Sequence, residues 1–507
     1  MLQYRFIDNA RKYPEKVAIN DKATQRMVTY SQALIAALVL ARRFQKLEST
    51  RIGIMMPTSS GGALAVIGAL MGGLTPIMIN YSTGATKNYA YAKAQCDFRT
   101  IVTSRSLLER ISCEATANMV FMEDIMAGLS RFEKVLAYLK SRLPISLLKR
   151  LTGNDNLDQP AVILFTSGSE KDPKIVQLTQ RNIISNIDSF TDMMNLHEMD
   201  RLLAVLPYFH VFGLTITLWT PLCLGMTTIT YPNPLDFKTI ASLVKQEKPQ
   251  LLVGTPVFLE GYAKQSAPGD FTSVILVVSG ADKCPDSLRQ IYHEKHQLQI
   301  IEGYGTTETS PVISVNPRDR NRPGSIGIPI PGTEVSIENI DSGEVCTPGE
   351  IGKIMVKGPG VMSGYLNDIT ESHLRLKSGW YDTGDLGLLD EEGYLWHKGR
   401  LKRFVKIGGE MISLVNVEET LNALLEEGVK CCAVELPDAK RGSRIIAVTN
   451  EQIDSKSVTK QLAQVLPNLA LPKKYVVVEE FPCMGSGKID FRTLTEIVRQ
   501  QEETSRD

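Results

Sequence analysis

Several short stretches carry side chains suited to a nucleotide and its phosphates. The strand-like run 162–165 leads into Thr166-Ser167-Gly168-Ser169-Glu170-Lys171-Asp172-Pro173-Lys174. Hydroxyls, a glycine and a lysine at a strand's carboxyl end supply what a polyphosphate needs: donors, close backbone approach and a cation. Pro173 stiffens the turn ahead of Lys174. The G-x-x-x-x-G-K-[ST] spacing is absent, so this is not a Walker A loop. A Ser/Thr/Gly turn alone is more often simply a turn. A second stretch holds Gly303, Tyr304, Gly305, Thr307 and Glu308. An aromatic face stacks on a purine, a hydroxyl donates to phosphate, and a carboxylate is a hard ligand for a hard cation. Because these groups are crowded together, a bare Gly-rich turn is the weaker reading. Further on, Asp385 in 380–385 is a carboxylate able to accept both ribose hydroxyls, and Lys488 sits in the Gly-rich turn 485–490.

These residues need a scaffold of several elements. A chain of 507 residues is too long for one hydrophobic core, so two or more domains are expected. Lys+Arg and Asp+Glu both number 56, and that balance argues against a nucleic-acid-wrapping protein. The eight cysteines form no CxxC pair, which suits reduced thiols in a cytoplasmic protein. The N-terminal run 1–16 lacks the apolar stretch of a secretory signal. The apolar run 61–79 contains five glycines and a proline and follows a strand-like 52–56, so it reads as a buried helix feeding a strand at 76–79.

Short β-branched runs at 100–104, 162–166, 202–207, 227–231, 251–254 and 274–280 alternate with helix-length segments. That alternation predicts an α/β fold with largely parallel sheets. From about 324 the texture becomes short strands and tight turns, a small β-rich subdomain at 324–401. A third region, α+β in character, follows Lys402, with a helix at 416–428, a strand at 431–436 and a terminal helix after Asp490.

Taken together, the motifs resemble the acyl-adenylate-forming (AMP-binding) superfamily, which includes acyl-CoA synthetases, luciferases and peptide-synthetase adenylation domains. Its signature loop, T-S-G-[ST]-x-G-x-P-K-G-V, is matched by Thr166, Ser167, Gly168, Ser169, Pro173, Lys174 and Val176. Lys171 stands where a second glycine is usual, Ile175 where a glycine follows the lysine, and Gln180 where a histidine is frequent. The resemblance implies that His210, within 206–213, borders the carboxylate pocket. It also implies that Thr255, Gly280 and Ala281 line the acyl channel and adenine site. Tyr304 would flank adenine, Thr307 would reach the α-phosphate and Glu308 would hold Mg²⁺. Asp385 and Arg400 would contact the ribose and phosphate. Lys402 would be the hinge between domains 1–401 and 402–507, the second being mobile. Lys406, Gly408 and Gly409 would face the thiol-bearing arm, and Lys488 would be the adenylation lysine. The implied catalytic set is Lys488, Glu308, Thr166, Lys174 and His210, with ATP and Mg²⁺ as cofactors.

Segments 399–413 and 481–491 are most similar to the acyl-ACP synthetase domain of bacterial 2-acylglycerophosphoethanolamine acyltransferase/acyl-ACP synthetases. This implies a fatty acid of medium or long chain as substrate and acyl carrier protein as thiol acceptor. A fatty acyl-CoA ligase, and a non-catalytic nucleotide- or lipid-binding homologue, stay open as alternatives. Finally, 131–151 carries six basic residues and one acidic, with apolar positions 132, 135, 136, 139 and 143 at helical spacing. Such a helix either lies on an anionic membrane, here the inner membrane's cytoplasmic face, or packs as an ordinary surface helix broken at Pro144.

Overall fold

The computed structural model describes residues 1–47, 49–82, 84–153, 155–166, 173–407, 410–426, 428–438, 442–483 and 489–504. Ser167, Gly168, Ser169, Gly408, Gly409 and Lys488 lie outside the described residues.

The architecture is mixed α/β, with a large N-terminal part and a small C-terminal domain. Among the described residues, a six-stranded sheet runs in the order Met119–Phe121, Ile101–Thr103, Arg51–Ile54, Thr75–Met78, Pro160–Phe165, Ile175–Thr179. Its pairings are parallel except the last, where Pro160–Phe165 runs antiparallel to Ile175–Thr179. A nine-stranded sheet has at its centre Ile300–Gly305, Leu276–Ser279, Leu251–Gly254, Arg201–Ala204 and Thr227–Thr230, all parallel. Both its ends finish in antiparallel pairs. Central strands such as Leu251–Gly254 are buried throughout, as strands covered on both faces must be.

The 61–79 run resolves into the helix Ser60–Met71 and the strand Thr75–Met78. Ser59 caps the helix by accepting from Gly62 N at 3.2 Å. At 12 residues the helix spans about 18 Å, well short of a bilayer core of about 30 Å. No helix among the described residues is long and apolar enough to cross a membrane. Gly68 lets this helix approach the helix Tyr30–Gln45, since a Cβ there would meet Leu40 at 2.6 Å.

The β-rich region is an antiparallel sheet of Glu334–Glu338, Gly352–Lys357, Trp380–Leu389 and Leu376–Lys377, with Leu395–Arg400 paired to Trp380–Leu389. Past a 3-10 turn at Leu401–Arg403 come the hairpin Phe404–Ile407/Glu410–Ser413 and the helix Leu414–Asn422. The sheet Cys431–Asp438, Gly442–Thr449, Lys474–Val477 and the helix Phe491–Thr504 follow. The apolar clusters of the described residues divide at the same place: each lies wholly before 401 or wholly after it.

Candidate functional site

Parallel strands align their carboxyl ends, and in open α/β sheets ligands sit in the crevice beyond those ends. Here the ends at Ala204, Gly254, Ser279 and Gly305 deliver the stretches 206–213, 255–256, 280–281 and 306–308 to one edge. They meet closely. A Cβ on Gly280 would lie 3.2 Å from the Phe212 ring and 3.6 Å from Gly303 O. Ala281 adopts a φ of +71°. Gly305 tolerates no side chain, because a Cβ would sit 1.9 Å from Pro311 O. His210 is half-buried at the start of the π-helical segment Phe212–Trp219, its ring centroid 4.7 Å from that of Phe209.

The strand Trp380–Leu389 brings Asp385 beneath Tyr304, and antiparallel register places Arg400 opposite Asp385. Tyr304 Oη donates to Asp385 Oδ2 at 2.5 Å, Arg400 Nε lies 3.2 Å from Oδ1, and His397 Nε2 lies 3.9 Å from Oδ2. Burial alone would raise the Asp385 carboxyl, but His397, Arg400 and Tyr304 together hold it below the ordinary carboxylate range. Burial, and then the Asp385 charge, push the Tyr304 phenol well up. The buried Oδ1 has no aligned hydrogen-bond donor among the described residues. A buried acceptor without a donor suits a ligand hydroxyl.

A second cluster forms around Glu308, in the 3-10 turn Thr307–Thr309. Tyr365 Oη donates to Glu308 Oε1 at 2.8 Å, and Met362 N donates to Glu308 O at 2.8 Å. The helix Gln180–Met193 braces the turn: Asn186 Nδ2 donates to Thr309 O and Val312 O, and Asn182 Nδ2 to Pro359 O and Val361 O. Lys174 joins from the other sheet. Its ammonium lies 4.8 Å from the Tyr365 ring centroid and is paired with Glu371, which also meets Arg375 Nε at 3.2 Å. The Lys174 contact, opposed by burial, holds the Glu371 carboxyl below its ordinary range. Lys174 N donates to Thr166 Oγ1 at 3.0 Å and Thr166 N to Lys174 O at 2.9 Å, so these two residues pin the loop's ends together.

The structure therefore gathers Thr166, Lys174, Glu308 and Thr307 on one side and Gly280, Ala281, Gly303, Tyr304, Gly305, Asp385 and Arg400 on the other. Lys402 is exposed within the turn after Arg400, and Lys406 is exposed on the following hairpin. His397, Tyr365, Glu371 and Arg375 escaped the sequence reading; cross-strand register and a short helix bring them in, and no local motif marks them. The two departures that the structure describes face away from the crevice. Gln180 is buried against the first helix, accepting from Leu2 N at 2.8 Å and donating to Gln3 Oε1 at 3.2 Å, and Ile175 is a core strand residue.

Chemically, the crevice gathers a phenol on a buried carboxylate, a lysine over an aromatic ring, and a second carboxylate held by a tyrosine. No group of three or more His, Cys, Asp or Glu side chains forms a metal cage among the described residues. A single carboxylate fits Mg²⁺ when phosphate oxygens and waters complete its shell.

The chain is similar to known proteins in sequence and in fold. The family described as AMP-binding enzyme matches residues 6–366. A long-chain-fatty-acid–CoA ligase of Bacillus subtilis strain 168 is 30% identical, over 98% of this chain and 94% of its own. An indoleacetate–CoA ligase of Aromatoleum aromaticum is 33% identical, over 65% of this chain and 66% of its own. ATP-bound MatB from Rhodopseudomonas palustris shares the fold with a TM-score of 0.85 at 23% identity, covering 98% of this chain and 99% of that one. Bacillus subtilis MenE in complex with the acyl-adenylate OSB-AMP does so at 0.82 and 23%, covering 97% of both chains. Matched over most of its length by that family and by a relative of nearly its own extent, the chain belongs to the AMP-binding enzymes.

Proposed function

We propose that this chain is an AMP-forming acid–thiol ligase that activates a fatty acid of medium or long chain as its acyl-adenylate. It then hands the acyl group to the phosphopantetheine thiol of acyl carrier protein. The observation that carries the reading is the buried Asp385 carboxylate, flanked by Tyr304, Arg400 and His397, with no hydrogen-bond donor aligned on Oδ1 among the described residues. It supports a ribose bound beside the Glu308–Lys174 cluster, where phosphates would lie.

A carboxylate is a poor electrophile because its carbonyl is resonance-stabilised and charged. Attack of its oxygen on the α-phosphorus of ATP forms an acyl–phosphate bond and expels pyrophosphate; the thiol then attacks the acyl carbon and AMP leaves. Two anions must be held together in the first step, so cations and oriented donors do the work. Lys174 and Thr166 would hold the β- and γ-phosphates, Thr307 the α-phosphate, and His210 would border the acid. Glu308 would hold Mg²⁺, which offsets charge on the departing pyrophosphate. Lys488 is assigned to bridging the carboxylate and α-phosphate. The domain division is placed at 401/402, with the segment beyond Lys402 rotating between half-reactions so that Gly408 and Gly409 replace Lys488 at the crevice. An ATP-consuming reaction and eight free cysteines fit a cytoplasmic site of action.

CoA is the second reading for the acceptor, favoured by the long-chain-fatty-acid–CoA ligase aligned along 98% of the chain. Both acceptors present the same pantetheine arm. The test is acid-dependent ATP–pyrophosphate exchange across carboxylates, followed by product formation with CoA against holo-carrier protein. Lys488→Ala should cripple exchange while largely sparing thioester formation from supplied acyl-AMP. Equal loss in both steps, or wild-type protein without exchange on any acid, contradicts the assignment.

A further inference from the structure

The helix Arg131–Ser141 is turned the opposite way to an ordinary surface helix. It packs on the helix Tyr30–Gln45 through Ala137 and Ser141, which are buried, and through Leu136 at the seam with Leu38 and Val39. Its larger apolar side chains point outward: Phe132, Val135 and Leu139 are 69%, 56% and 57% exposed. Residues i, i+3 and i+7 share one face of a helix, so these three form a continuous apolar stripe in solvent. Pro144 ends this helical segment, and the helix Ile145–Leu151 adds Leu147 and Leu151, 42% and 47% exposed, one turn apart. A soluble helix ordinarily buries its apolar stripe, and an exposed one marks an interaction surface.

The charges around the stripe identify what it meets. Arg131, Lys134, Lys140, Arg142, Lys149 and Arg150 are basic, against a chain whose net charge is zero. The single acid, Glu133, is turned inward, where its carboxylate is clasped by Arg43 at 2.7 and 2.8 Å. Lys149 is paired with Asp8, but no ion pair is found for the other five basic residues among the described residues. A second copy of the chain docking by two-fold symmetry would set this basic rim against itself. An apolar stripe rimmed by cations and too short to span is the pattern of a helix lying in the interface of an anionic bilayer.

We propose that the segment 131–151 docks the enzyme on anionic phospholipid, with Phe132, Val135 and Leu139 entering the headgroup–acyl boundary and the basic rim contacting phosphates. This surface does not depend on which acid or thiol the crevice takes. Long-chain acids partition into the same interface, so docking would place the protein beside such a substrate.

The full-length protein should co-sediment with phosphatidylcholine vesicles containing phosphatidylglycerol at least about tenfold more strongly than with pure phosphatidylcholine, and less so as salt rises. The variant Phe132→Ser/Val135→Ser/Leu139→Ser should lose roughly tenfold or more of that binding. Arg131→Glu/Lys134→Glu, which leaves the apolar face intact, should lose a comparable amount. Both should keep the wild-type Tm and the wild-type rate of ATP–pyrophosphate exchange on a water-soluble acid without vesicles, because the altered side chains are exposed. Three results overturn the proposal: wild-type protein that ignores anionic vesicles, folded variants that bind them as well as wild type, or a lipid-free dimer that the serine variant abolishes.

Discussion

The crevice and the joint beside it are built on opposite principles. Around Tyr304, Asp385 and Gly305 every functional group is fixed by strand register, and backbone atoms approach so closely that even a methyl group is excluded at Gly305. Across residue 401 there is no shared apolar cluster among the described residues. Two arginines three residues apart face different bodies. Arg400 reaches back to Asp385, whereas Arg403 is locked into the C-terminal domain, 2.5 Å from Glu418 and 3.8 Å above the Phe491 ring. Burial of apolar area and β-ladders resist displacement, whereas here a three-residue turn is held at its two ends by different partners. The rotation proposed for the segment beyond Lys402 would therefore leave the apolar clusters on both sides intact.

The steepest loss should come where backbone meets backbone. Gly305→Ala pushes a methyl into Pro311 O, which cannot move without shifting the strand Val312–Val315. A displacement of about 1 Å in a positioning element costs on the order of 10²-fold. ATP–pyrophosphate exchange should fall by at least that, with a lowered Tm. Gly280→Ala meets only the Phe212 ring edge, which can tilt, and should cost far less. If the two behave alike, backbone rigidity is not what distinguishes this edge.

Asp385→Asn should come next. It removes the charge that Tyr304, Arg400 and His397 converge on, and a hydrogen bond to a charged group is worth about 1.5–3 kcal/mol. KM for ATP should rise by roughly ten- to a hundredfold. The same residue sets a pH dependence. Its folded-state carboxyl is held below the ordinary range, so its ionised form adds stability above the unfolded value of about 3.9, and that contribution fades as pH falls through the lower folded value. Thermal melts of the asparagine variant should therefore lose part of the acid-limb slope below about pH 4.

Much of this was legible in the sequence, for a physical reason. Buried parallel strands are short, uniformly apolar runs, so 251–254 coincides with the strand Leu251–Gly254 and 274–280 encloses the strand Leu276–Ser279. Groups that act through register are invisible to local pattern. His397 reaches Asp385 only because the strands Leu395–Arg400 and Trp380–Leu389 pair as they do, and Tyr365 reaches Glu308 from 57 positions away. The direction of the 131–141 stripe was equally hidden. Periodicity finds an apolar face, but the small residues Ala137 and Ser141 decide which side packs.

Lys402→Pro probes the joint itself. Fixing φ within the turn Leu401–Arg403 should leave ATP–pyrophosphate exchange within about twofold and slow thioester formation on the order of tenfold or more. An unchanged second step would mean that no rotation is needed there.

The smallest effect belongs to a contact that crosses the joint. Lys283, three residues after Gly280, pairs with Glu419 on the helix Leu414–Asn422, and both side chains are largely exposed. An exposed pair contributes at most about 1 kcal/mol and is screened by salt. It can bias the angle between the parts but cannot hold them. Glu419→Lys should therefore shift the balance between exchange and thioester formation by no more than about fivefold, and the shift should vanish in high salt. Lys283→Glu/Glu419→Lys should restore the wild-type ratio, because the reversed pair recovers the same attraction. A loss beyond tenfold that survives salt would show that this interface is held by more than charge, and the contrast between a rigid crevice and a loose joint would fail at that point.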